Sequence, residues 1–229
     1  MTEVRDLESV LEAAKTWSFV DTRKIAIIGG SQGGVVSVIT AARHADEIEG
    51  LVLLYPALLI QEDLHRKFKS KEDCPPVYRY NGWLDVSPIY VRDMWDYDVY
   101  QDMPKYGKPV LILHGDKDAI VPMSYSERAA KAYKDAEFHV VKGGGHGFQG
   151  KTFEQAMGFI DGYLEKKQGY FQPTQQTASV SVVTPPSAPG ENGRQGEGCM
   201  RVRWVRPPYG SPGGSRLLTY SLFPERTSS

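Results

Sequence analysis

Across the first 167 residues, short apolar runs alternate with stretches whose apolar positions recur at helical spacing. The runs at 24–28 (Lys-Ile-Ala-Ile-Ile), 50–55 (Gly-Leu-Val-Leu-Leu-Tyr), 109–114 (Pro-Val-Leu-Ile-Leu-His) and 137–141 read as strands. The second and third are continuously apolar, the pattern of a strand covered on both faces. Helical periodicity appears at 7–17, where Leu7, Val10, Leu11 and Ala14 share a face, and again at 33–43, 124–133 and 152–166. Strands alternating with helices predict an α/β fold: a parallel sheet with helices on both faces. In such sheets the chemistry collects at the carboxyl ends of the strands.

The pattern breaks near residue 168. Every lysine and every aspartate lies before it, and proline and glycine crowd the remainder, as in 184–190 (Thr-Pro-Pro-Ser-Ala-Pro-Gly) and 210–214. Residues 1–167 are therefore expected to form the folded core, with 168–229 a Pro/Gly-rich tail that is disordered or adds short strands. The β-prone islands of that tail are 178–183, 200–205 and 216–223.

Composition narrows the function classes. A formal net charge of −1 over 229 residues gives no general attraction to nucleic acid or anionic membrane. The cationic stretch of Arg201, Arg203, Trp204 and Arg206 is too sparse to carry phosphate binding. Cys74 and Cys199 lie far apart with no metal-ligand neighbours at useful spacing, so neither a disulfide framework nor a metal site is expected. No apolar run approaches membrane-spanning length, and the polar start Met1-Thr2-Glu3-Val4-Arg5-Asp6 reads as no signal peptide. A cytoplasmic protein is the expectation.

The chemistry-bearing segment is Gly29-Gly30-Ser31-Gln32-Gly33, directly between the first strand and the helix that follows. A G-x-S-x-G turn in that context lifts the serine above the sheet at a helix N-terminus, where the dipole favours a developing oxyanion. A serine hydroxyl cannot attack unaided, and needs a base near neutrality whose tautomer is held by a carboxylate. The third strand is followed by His114-Gly115-Asp116-Lys117-Asp118, and the fourth by Gly143-Gly144-Gly145-His146-Gly147-Phe148. His146 is the candidate base. Asp116 and Asp118 compete for the acid role; Asp118 is preferred for its place in the D-x-x-V-P run ending at Pro122, while Asp116 could cap the turn. His114, inside its strand, is expected to pack or hydrogen-bond. His44, His65 and His139 read as surface or helix-end residues without an acid context.

These motifs, in the order Ser31, Asp118, His146, resemble those of α/β-hydrolase serine esterases. The Ser31-Gln32-Gly33-Gly34-Val35-Val36 version is similar to the bacterial cinnamoyl or feruloyl esterase group. The resemblance covers roughly 1–167. It implies carboxylic-ester hydrolysis through an acyl-enzyme, on short-chain or aryl/cinnamoyl-type esters and without a cofactor. Ser31 would be the nucleophile, His146 the general base and acid, Asp118 the orienting carboxylate, and the Gln32 backbone N–H one oxyanion donor. It also implies that the insertion at 58–108 is a lid, with Trp83, Tyr90, Trp95 and Tyr97 the substrate-binding candidates among its aromatics. Two other readings share the serine-aspartate-histidine order: a serine peptidase of the prolyl-oligopeptidase type, and a non-catalytic hydrolase-like oligomerising protein.

One departure stands out. The family places several strands ahead of the nucleophile strand, including the loop that supplies a second oxyanion N–H. Only enough chain for one helix precedes Lys24 here. The 24–28 strand would then present an apolar edge, with three outcomes open: a second copy pairs it in a homodimer, the tail islands fill in as strands, or the protein is a destabilised fragment with its triad intact and poor activity.

Overall fold

The computed structural model describes residues 1–80, 84–166, 201–204 and 218–221, the last two segments, Tyr80 and Leu84 as backbone only. Its main sheet holds β1 (Ile25–Gly30), β2 (Ile48–Leu54), β5 (Val110–Gly115), β6 (Ala136–Val141), β7 (Arg201–Trp204) and β8 (Leu218–Ser221) in the order β6-β5-β2-β1-β8-β7. Pairs β6–β5, β5–β2, β2–β1 and β1–β8 are parallel, and β8–β7 is antiparallel. A separate hairpin joins β3 (Tyr78–Tyr80) to β4 (Leu84–Val86) within the insertion.

Strand alternation sorts the core into two layers. Ile25, Ile27, Leu51, Leu53, Val110 and Ile112 face one side and pack with α1 (Thr2–Lys15), α2 (Gln32–Arg43) and α5 (Ser124–Ala132). Ile28, Val52, Leu111 and Leu113 face the other and pack on α6 (Lys151–Lys166) through Ala156, Ile160, Tyr163 and Leu164. Helices therefore cover both faces, and the central strands have to be apolar throughout. Helix α2 is enclosed from Gly33 to Ala41 because the sheet lies on one side and α1 with the insertion on the other. The insertion carries α3 (Ile60–Lys67), the hairpin, α4 (Pro88–Trp95) and two short 3₁₀ turns.

Several boundaries differ from the sequence reading. Helix α1 starts at Thr2, not residue 7, because Val4 extends the stripe of Leu7, Leu11 and Ala14 by one turn; Val10 lies at its margin. The second strand ends at Leu54, and Tyr55 leaves it with a positive φ of 37°. Of the tail islands, 200–205 and 216–223 contain β7 and β8, while 178–183 lies outside the described residues. The edge of β1 is not open along its whole length: β8 runs beside it with Ile28 opposite Thr219 and Gly29 opposite Tyr220. No helix among the described residues is long and apolar enough to cross a membrane.

Candidate active site

Four loops meet at the carboxyl ends of β1, β2, β5 and β6. At the end of β1 the chain turns into α2 through Ser31, which adopts φ 53° and ψ −123°. Such a conformation costs a residue with a side chain roughly 1–3 kcal/mol and persists only when its surroundings hold it. They do so here. The Ser31 N–H donates to the Leu54 carbonyl at 3.0 Å, and the Ser31 carbonyl accepts from Gly34 and Ala57 N–H groups at 2.9 Å each. Serine at a helix N-cap ordinarily caps with its hydroxyl. Ser31 makes no such side-chain bond, and its Oγ is directed to His146.

The close approach of α2 to β1 explains the glycine before this turn. A Cβ at Gly29 would stand 2.3 Å from Ser37 Oγ and 2.4 Å from the Gly33 carbonyl oxygen. The second contact is backbone and cannot swing away. Gly29→Ala should therefore yield a protein that unfolds at markedly lower denaturant concentration and has lost the Ser31 geometry. Urea unfolding followed by tryptophan fluorescence checks it, and an unchanged midpoint would show that the elbow tolerates the methyl group.

Ser31 Oγ lies 2.8 Å from His146 Nε2, and His146 Nδ1 lies 2.8 Å from Asp118 Oδ2. An ionised carboxylate only accepts, so Nδ1 carries the proton and Nε2 is left as acceptor for the serine hydroxyl. Asp118 has 1% of its side chain exposed. Its other oxygen, Oδ1, accepts the Ile120 and Val121 N–H groups at 2.9 Å each. Burial alone would raise the Asp118 carboxyl. Hydrogen bonds from His114, His146 and those two amides outweigh it and hold the group well below the usual carboxylate range.

His114 contributes more than the sequence suggested. Fully buried, it donates from Nε2 to the Val121 carbonyl at 2.9 Å, and its Nδ1 faces Ser126 Oγ at 2.7 Å. The same Nε2 lies 3.3 Å from Asp118 Oδ2. His114 and His146 thus converge on the same carboxylate oxygen, Asp118 Oδ2. Asp116 turns elsewhere, its Oδ1 accepting the Gly143 N–H at 2.6 Å and tying the loop after β5 to the loop after β6. Two of the other histidines do have acid neighbours, His44 meeting Glu47 at 2.8 Å and His139 meeting Glu137 at 2.7 Å, while His65 meets the Trp95 carbonyl.

Gln32 is the first residue of α2, so its N–H belongs to the group that a helix leaves without an intrahelical acceptor. The aromatic candidates of the insertion disperse. Tyr97 lines a cavity of about 80 Å³ with Val35, Ala57, Gln61, Tyr100 and Arg128. Ser31, Asp118 and His146 do not line it. One lining residue, Ala57, bonds the Ser31 carbonyl through its N–H. Tyr90, Trp95 and Tyr97 all pack against the main core, Trp95 also against the His65 ring, and Trp83 lies outside the described residues.

The family model of the prolyl oligopeptidase family matches residues 1–167, nearly three quarters of the chain. The chain belongs to the prolyl oligopeptidase family. Among solved structures, Est1E from Butyrivibrio proteoclasticus is 29% identical with a TM-score of 0.65, covering 72% of this chain and 69% of Est1E. Est1E with ferulic acid bound superposes at 0.64 over 68% of its length. The α/β-hydrolase MGS-MChE2, from the metagenome of lagoon sediments, shares the fold at 15% identity and a TM-score of 0.53, covering 73% of this chain and 70% of its own. The fold is that of an α/β-hydrolase. Among curated proteins the human serine hydrolase BPHL is 21% identical over 62% of this chain and 54% of its own length. This member of the prolyl oligopeptidase family therefore spans little more than half of that relative.

Proposed function

We propose that the protein is a carboxylic-ester hydrolase acting through Ser31, His146 and Asp118 by way of an acyl-enzyme. The observation that carries the reading is the unbroken line Ser31 Oγ–His146 Nε2, His146 Nδ1–Asp118 Oδ2, with both contacts at 2.8 Å. In this scheme Ser31 Oγ attacks the ester carbonyl carbon while its proton passes to His146 Nε2. Asp118 stabilises the imidazolium that forms, and the α2 N-terminus with the Gln32 N–H receives the charge on the carbonyl oxygen. Collapse of the tetrahedral species breaks the C–O bond, and His146 returns the proton to the departing alcohol. A water molecule, deprotonated by the same imidazole, then releases the acid and restores Ser31.

Short-chain and aryl esters are the substrates proposed. The support is Est1E, which is 29% identical and has been seen with ferulic acid bound, and the insertion at 58–108 would act as the lid over the acyl group. A homodimer is the second way proposed to cover the β1 edge, which among the described residues pairs with β8 at Ile28 and Gly29.

A peptidase is the competing reading, favoured by the family whose model the chain matches. One set of assays separates the two. The protein should hydrolyse p-nitrophenyl butyrate and methyl ferulate, be labelled by a fluorophosphonate probe, and leave a proline-containing peptide anilide intact. Cleavage of the peptide in preference to the esters would establish the peptidase. Neither turnover nor labelling would remove catalysis altogether.

A further inference from the structure

Resting on the proposed serine chemistry, we infer that Tyr55 is a positioning residue that sets the spacing between Ser31 and His146 by wedging its ring between their two loops. Several independent features of the structure converge on it. The first is the backbone. Leu53 faces the α2 layer and Leu54 packs toward the α6 layer, so simple alternation would send Tyr55 back toward α2. The φ of 37° breaks that alternation, and the Tyr55 N–H is pinned to the Leu113 carbonyl at 2.7 Å. The ring packs instead with Phe148, which belongs to the α6 layer. Besides Ser31, Tyr55 is the one residue other than glycine with a positive φ among the described residues. Both positions lie beside the same histidine.

The second feature is what the ring touches. Its centroid lies 4.9 Å from that of His146 at an interplanar angle of 60°, and 4.8 Å from that of Phe148 at 86°. Both partners belong to the loop after β6. Between them Gly147 adopts φ 87°, which bends the chain so that residues 146 and 148 can approach the same ring. On its other edge the ring lies across Gly30, the residue before Ser31: a Cβ there would meet Tyr55 Cε2 and the hydroxyl oxygen at 3.4 Å each. Tyr55 thus packs on the histidine loop and flanks the serine turn closely enough that a methyl group at Gly30 would touch its ring. It has 8% of its surface exposed, and burial, followed by the Asp118 charge, raises its phenol so that the hydroxyl stays protonated.

A spacer predicts a distinctive pattern. The hydrogen bond of His146 to Asp118 fixes one end of the imidazole, but nothing in that bond prevents the ring from tilting away from Ser31. Tyr55 blocks the tilt by volume. Removing the ring should misplace Nε2 relative to Oγ, and a displacement of that kind costs on the order of 10- to 100-fold in rate. The hydroxyl is secondary to the ring.

The test compares Tyr55→Phe, Tyr55→Leu and Tyr55→Ala with wild type. Phenylalanine should keep kcat within about threefold, because the six-membered ring remains. Leucine and alanine should lose about tenfold or more in kcat with KM nearly unchanged, and fluorophosphonate labelling should slow in parallel. Circular dichroism and urea unfolding confirm that each variant is folded, and the leucine variant, which keeps buried volume, stands in if alanine is not. The downfield proton resonance of His146 Nδ1–H gives a readout independent of turnover: sharp in wild type and Tyr55→Phe, broadened by exchange in Tyr55→Leu. Wild-type kcat in the leucine variant would overturn the inference. So would a phenylalanine variant as damaged as alanine, which would assign the work to the hydroxyl, or a loss confined to KM. Absence of ester turnover in the wild type, with the proton resonance still responding to Tyr55, would reject the proposed reaction and leave the positioning role intact.

Discussion

Ser31→Ala should lower kcat for p-nitrophenyl butyrate by up to about a millionfold, the scale on which removing an activated serine abolishes acyl-enzyme chemistry. The physical reason is local. His146 Nε2 faces Ser31 Oγ at 2.8 Å, so deletion of that oxygen would leave the imidazole with nothing to deprotonate but water. The residual rate would reflect water activated by the imidazole beside the α2 N-terminus, roughly 10³–10⁴-fold above the uncatalysed reaction. Stability should hardly change. The strained turn is held through backbone bonds of Ser31 to Leu54, Gly34 and Ala57, and the hydroxyl makes no capping bond that alanine would lose. Steady-state kinetics and mass spectrometry after fluorophosphonate treatment check both parts. A variant with wild-type turnover would put the nucleophile elsewhere.

How much of this site could be read from the sequence depends on the range of the interaction involved. The elbow was legible because a buried strand, a glycine-rich turn and a helix are contiguous between Lys24 and Arg43. The separation of the strands into helix-covered layers was legible too, since strands covered on both faces must be apolar throughout, as 50–54 and 110–113 are. The role of His114 was not. Its partners Val121, Ser126 and Asp118 lie close in sequence, but only the turn after β5 brings them around the ring. Tyr55 was hidden for the opposite reason. It continues an apolar run so smoothly that it read as the end of a strand, and its reversed backbone depends on the Leu113 carbonyl from another strand. For the aromatics of the insertion, composition alone does not separate a pocket wall from a core: Tyr90, Trp95 and Tyr97 are all partly buried against the main core, because a large ring contributes by burial wherever it lies.

Asp118 is where geometry yields the sharpest expectation. Asp118→Asn should reduce kcat about 10⁴-fold while leaving the serine and histidine in place, because the substitution inverts the histidine tautomer. The carboxamide has one accepting and one donating end. Its oxygen is required at the Oδ1 position, where the Ile120 and Val121 N–H groups converge at 2.9 Å each. That leaves the NH₂ at the Oδ2 position, 2.8 Å from His146 Nδ1. The imidazole must then accept at Nδ1 and carry its proton on Nε2, where it can no longer take the proton of Ser31. The same NH₂ also faces His114 Nε2, which already donates to Val121, so two donors oppose each other in a buried pocket and stability falls as well. In the wild type, the Asp118 carboxyl is depressed by folding. The unfolded chain takes up the proton first as pH drops, so this contribution to stability is complete above the unfolded value of about 3.9 and is lost as pH falls from there toward the lower folded value. Urea unfolding measured from neutral to acidic pH should therefore show a gap between wild type and Asp118→Asn that narrows on acidification. A gap independent of pH, together with near-normal kcat, would show that Asp118 is neither ionised nor setting the tautomer of His146.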